Sequence, residues 1–171
     1  TPRSRYRADL QRDDFHQDPA QERAVGHTQR LYDDLLRPAA DRSWLRRLWP
    51  AARPSVPGLY FWGGPGRGKT YLMDCFYDSL AFETKRRMHF HRFMLEIHDW
   101  LKQLPPSPDP LQVIGAELAK RYRVLCLDEF HVHDIGDAMI MAGLLQALFD
   151  NSVTLAASSN ISIKELYKNG L

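Results

Sequence analysis

The chain has 171 residues, 44% of them hydrophobic and 26% charged, which suits one domain with an arm and is enough to bury a core. Twenty-three Lys and Arg against 21 Asp and Glu leave a formal charge of +2, too balanced to argue for nucleic-acid binding. The longest nearly uncharged apolar stretch runs only from Ala138 to Phe149, short of the roughly 20 residues a bilayer-spanning helix needs.

Residues 1–17 open with Arg3, Arg5, Arg7 and Arg12 against Asp9, a pattern that predicts a solvated basic tail. Residues 18–57 form the second unit. Asp18-Pro19 pairs a capping side chain with a proline at the first helical position. Ala20, Ala24, Thr28, Leu31 and Leu35 then recur at helical spacing until Pro38. A connector with Pro50, Pro54 and Pro57 follows. It contains the basic, aromatic piece Trp44–Trp49, suited either to docking on its own domain or to meeting a membrane or partner.

Residues 58–171 have a different texture. Strands are predicted at 58–62, 88–93, 124–128 and 153–158. Helices are predicted from Lys69 to about Leu80, over Met94–Leu104, over Leu111–Tyr122, and from an Asp137 cap to Phe149. Alternating strands and helices imply an α/β layered domain with a parallel sheet. Cys75 and Cys126 lie far apart in apolar surroundings, as buried reduced thiols of a cytosol-like compartment do.

Gly63-Gly64-Pro65-Gly66-Arg67-Gly68-Lys69-Thr70 satisfies GxxxxGK[ST] between a predicted strand and a predicted helix. Its glycines let backbone N–H groups curl around phosphate oxygens, while the new helix directs its positive end at them. Lys69 is placed to reach the β- and γ-phosphates, and the Thr70 hydroxyl to ligate Mg2+. The strand Val124–Leu127 ends in Asp128 and Glu129, two acids at the carboxyl edge of the sheet, where α/β proteins bind ligands. Asp128 would hold the Mg2+ shell and Glu129 would polarise the attacking water. Asn160, at the end of the last strand, is positioned to contact the γ-phosphate and that water. These residues point to ATP as substrate.

Gly58–Thr70, His89–Met94, Leu127–Phe130 and Leu166–Leu171 together resemble ZapE-type AAA+ ATPases, a bacterial cell-division-associated family with mitochondrial relatives. The resemblance implies a three-layer P-loop (AAA+) fold with spatial strand order 5-1-4-3-2. It also implies a role in reading adenine for Gln21, near the start of the first predicted helix. Family members continue past Leu171 into a fifth strand, an arginine-finger region and a helical lid, so the 58–171 core is expected to be incomplete at its C-terminus. The resemblance further implies Mg2+-dependent ATP hydrolysis that remodels a protein partner, a tubulin-like division protein, by a cytoplasmic homo-oligomer acting peripherally at the inner membrane. A DNA-acting helicase-loader-like ATPase and a mitochondrial-type proteostasis ATPase are the alternatives. The sequence departs from the family at His131 and His133, where relatives carry Phe and Ser, and at Ser159, where they carry Thr. Three uses compete for His89, His91, His131 and His133. They are Zn2+ ligation, satisfied polar groups at a sheet end or, for His89, His91 or Arg92, holding Glu129 off the water.

Overall fold

The computed structural model describes residues 1–12, 18–37, 56–132 and 134–166. The Trp44–Trp49 piece, His133 and residues 167–171 lie outside the described residues. Among the described residues, six α-helices and four strands follow in the order α1 (Pro2–Asp9), α2 (Pro19–Leu36), β1 (Leu59–Trp62), α3 (Lys69–Ser79), β2 (Lys85–His89), α4 (Phe90–Gln103), α5 (Pro110–Arg121), β3 (Val124–Asp128), α6 (Ile135–Asp150) and β4 (Thr154–Ser159). All strand pairs are parallel and the order is β1-β4-β3-β2, which matches the implied order.

β3 explains the layering. Its side chains alternate between two cores: Leu125 and Leu127 pack with α4, α5 and α6, while Val124 and Cys126 pack with α1, α2 and α3. A strand covered on both faces must be apolar at every position, and the run Val-Leu-Cys-Leu is. The result is a helix–sheet–helix sandwich of three layers. Both cysteines are free and buried, and burial pushes the Cys126 thiol up to about 12, as befits a packing residue.

Three expectations are corrected. Residues 1–12 are not a solvated tail, and residues 13–17 lie outside the described residues. Pro2–Asp9 is a helix with a Thr1–Ser4 capping box, and Tyr6 is only 3% exposed. Its face is tied to α3 by Arg5 Nη1 to Asp78 Oδ2 at 2.8 Å and by the Tyr71 hydroxyl donating to Asp9 Oδ2 at 2.6 Å. Arginine spacing suggested a tail, but Pro2, Tyr6 and Leu10 recur every fourth residue and form the buried stripe.

The second strand is Lys85–His89, not 88–93. Phe90, Phe93, Met94 and Ile97 follow a helical period and are buried on α4, so His91 and Arg92 sit in a helix. β2 lies at the sheet edge, where a charged strand is tolerated, and Lys85 and Arg86 lay their cationic groups over Tyr77 and Tyr122. Finally, α6 is capped by Asp134, whose Oδ1 accepts from the Asp137 N–H at 2.9 Å. Asp137 instead meets His98 on α4 at 2.7 Å.

Helices α5 and α6 approach closely at Gly115, where a Cβ would lie 2.4 Å from the Ala147 Cβ and 3.1 Å from its carbonyl carbon. Gly115→Ala is therefore expected to destabilise the protein by about 1–3 kcal/mol, as overpacking does, and urea unfolding would measure it.

Candidate functional site

The phosphate-loop motif forms a tight turn from β1 into α3. Gly66 and Gly68 have φ of 74° and 72°, left-handed values that glycine adopts without strain, and Gly68 is the residue that caps α3. A Cβ at Gly68 would also press on Gln21 Nε2 at 2.5 Å, the end of a side chain that can shift, so the left-handed φ is what requires glycine there. Lys69 Nζ lies across the loop and donates to the Gly63 and Gly64 carbonyls at 2.6 and 2.8 Å. Burial lowers its pKa from the ordinary lysine value.

Opposite the loop, the end of β3 turns sharply. Glu129 has φ 56°, a left-handed conformation that costs a non-glycine residue roughly 1–3 kcal/mol and clusters at functional sites. The turn is held by β4: the Phe130 N–H donates to the Ser158 carbonyl at 2.7 Å, and Ser159 Oγ donates to the Phe130 carbonyl at 2.7 Å. Phe130 itself is buried, its ring 4.4 Å from that of Phe90 and edge-on to Tyr60. With its backbone pinned and its neighbour buried, Glu129 has a side chain that is 79% exposed.

A cavity of about 650 Å³ joins these parts. The loop residues from Pro65 to Tyr71 line it together with Arg87 and His89 of β2 and with Asp128, Glu129, Ser158, Ser159 and Asn160 at the ends of β3 and β4. A second cavity of about 580 Å³ lies on the other side of the loop, lined by Gln21, Arg23, His27, Trp62, Gly63 and Gly64 among others. Arg67 and Lys69 border both cavities. Gln21 Oε1 is buried there without a hydrogen-bond partner.

Of the histidines, His89 approaches the acids, its Nδ1 3.7 Å from Glu129 Oε2, with both side chains largely exposed. Among the described residues no group of three or more His, Cys, Asp or Glu is arranged to hold a metal ion.

Sequence reasoning missed three residues here. Asp128 is not open on all sides. Its Oδ2 accepts from Arg87 Nε at 2.7 Å and its Oδ1 from Ser158 Oγ at 3.2 Å, while Arg87 Nη1 also pairs with Asp74 on α3. Burial opposes the Arg87 charge, but its hydrogen bonds to Asp128 and Asp74 outweigh that and hold its pKa above the ordinary arginine value. The available signal was alternation: Lys85, Arg87 and His89 fall on one face of a strand, once the strand is started at Lys85.

A family model of the AFG1-like ATPase matches residues 1–171. The chain belongs to the AFG1-like ATPase family. It is 45% identical over 182 residues to the cell division protein ZapE of Escherichia coli strain K12, covering 100% of this chain and 48% of that protein. It is 40% identical over 133 residues to lactation elevated protein 1 homolog B of Danio rerio, covering 71% of this chain and 26% of that protein. The chain thus spans about half the length, or less, of these curated relatives. Among solved structures it resembles the DnaC helicase loader with a TM-score of 0.60 at 15% identity, covering 91% of this chain and 84% of that one. It also resembles AMPPCP-bound DnaA from Aquifex aeolicus, at a TM-score of 0.59 and 12% identity, covering 91% of this chain and 46% of that one. At such identities the likeness concerns the fold, which is the P-loop AAA+ sandwich expected from the sequence.

Proposed function

We propose that this chain carries the nucleotide site of a Mg2+-dependent ATPase whose cycle remodels a protein partner. The observation that supports this reading is the 650 Å³ cavity, which Lys69 and Thr70 line together with Asp128, Glu129 and Asn160. The triphosphate lies in that cavity, and the base lies across the loop beside Gln21 and Trp62. Thr70 and Asp128 bring a hydroxyl and a carboxylate to the lining of one cavity, the oxygen donors a hard cation prefers, so the residues fit Mg2+. Bound there, the ion neutralises charge on the phosphate oxygens.

The remaining roles belong to side chains. Lys69 Nζ exchanges its two carbonyl acceptors for β- and γ-phosphate oxygens. Glu129, held out into the cavity by its left-handed backbone, accepts the proton of the attacking water. Asn160 orients that water and the γ-phosphate. His89 lies close enough to Glu129 to hold it away from the water between turnovers.

The E. coli relative is named as a cell division protein, which supports a partner in cell division. That the partner is a tubulin-like division-ring protein, and that the protein acts as a homo-oligomer peripherally at the inner membrane, is proposed from the family resemblance alone. No helix among the described residues is long and apolar enough to cross a membrane. ATP turnover by the full-length protein should rise when the tubulin-like protein is added. Single-stranded or duplex DNA should have no effect at low or high salt, because the +2 charge offers few phosphate contacts. Stimulation by DNA that fades steeply with salt, and none by the division protein, would replace this reading with the helicase-loader one.

A further inference from the structure

Arg87 links three parts of the site that are distant in sequence. It lies on β2 opposite Cys126 in the register, on the sheet face shared with α3. Its Nε meets Asp128 at 2.7 Å and its Nη1 meets Asp74, with the Arg87 and Asp128 side chains only 19% and 13% exposed. Asp74 stands one helical turn after Thr70 on α3, so the two share a face. The guanidinium therefore ties the helix that carries Thr70 to the strand that carries Asp128. From the far side, Ser158 Oγ holds the second carboxylate oxygen.

We infer that Arg87, braced by Asp74, is a positioning residue that orients the Asp128 carboxylate toward its divalent cation. This rests on the proposed metal role of Asp128. A lone guanidinium beside a cation site would repel the cation. Shared with Asp74, it belongs to a trio with a net charge of −1, which leaves the site attractive to a cation while fixing the carboxylate in place. A carboxylate already ordered loses less entropy when the ion binds. The planar fork of arginine serves two carboxylates at once, a geometry that a lysine ammonium does not reproduce. Arg87 lines the same cavity as Lys69 and the loop glycines, but its hydrogen bonds go to Asp128 and Asp74, so its effect is expected on the metal more than on the phosphates.

The test is the Mg2+ titration of a fluorescent, non-hydrolysable ATP analogue bound to the full-length protein, repeated with Mn2+ by electron paramagnetic resonance. Outer-sphere partners of metal ligands typically contribute 10–100-fold to metal affinity. Arg87→Lys and Arg87→Met should raise the half-saturating Mg2+ concentration by roughly that factor, and Asp74→Asn by a smaller but clear factor, while affinity for the metal-free nucleotide stays as in wild type. If Arg87→Met fails to fold, Asp74→Asn, at a half-exposed position, and Arg87→Lys carry the test. An unchanged Mg2+ midpoint in both, or a loss of metal-free nucleotide affinity that parallels the midpoint shift, would overturn the proposal and leave Arg87 a purely structural tie. Asp128→Asn separates the two levels of inference. If it raises the midpoint and the Arg87 and Asp74 variants do not, only the positioning role fails. If Asp128→Asn itself leaves the midpoint unchanged, the metal assignment falls and the positioning role with it.

Discussion

Glu129→Gln should bind nucleotide as the parent does and lose roughly 10²–10⁴-fold in turnover, the span typical of removing a general base. The substitution is isosteric and leaves in place what fixes the turn: the Ser158 and Ser159 contacts to Phe130, and the burial of Phe130 against Phe90. What it removes is the basic oxygen. Because the side chain is 79% exposed, no packing is lost, and a stability change should not confuse the kinetics. Single-turnover hydrolysis beside equilibrium nucleotide binding measures both quantities. Hydrolysis at the parent rate would show that another group takes the proton.

Lys69→Ala should reduce nucleotide affinity by about a hundredfold or more, since two charge-assisted contacts of roughly 1.5–3 kcal/mol each are lost. The folded state should tolerate the change. Gly63 and Gly64, whose carbonyls Lys69 now serves, line the 580 Å³ cavity, where water can replace the ammonium as their partner. Binding of a labelled ATP analogue checks the first point and a thermal melt the second. An alanine variant with parent affinity would mean that the backbone N–H cradle alone holds the phosphates.

The loop and the two acids were legible in the chain because their geometry is local. GxxxxGK[ST] specifies its own turn through left-handed glycines at 66 and 68, and four apolar residues followed by two acids specify a buried strand with its carboxylates at the rim. Asp18-Pro19 likewise marked the start of α2, where Asp18 Oδ1 accepts from the Ala20 N–H at 2.8 Å.

Where two local signals competed, sequence alone misplaced the boundary. Met88–Phe93 alternates enough to read as a strand, yet the Phe90–Ile97 stripe buries more apolar surface as a helix, and β2 moved upstream into a cationic segment that only an edge position tolerates. The N-terminal arginines concealed the fourfold spacing of Pro2, Tyr6 and Leu10, because that stripe becomes informative only once α2 and α3 supply a surface to cover it.

The chain by itself established a phosphate loop, a rim of two carboxylates and alternating strands and helices, all set by backbone preferences and hydrophobic period within a few residues. The pairing of Arg87 with Asp74 and Asp128, and the hold of Ser158 on the same carboxylate, were decided only by the packed sheet. Those contacts cross from strand to strand and from strand to helix, and register, not local propensity, determines which side chains share a face.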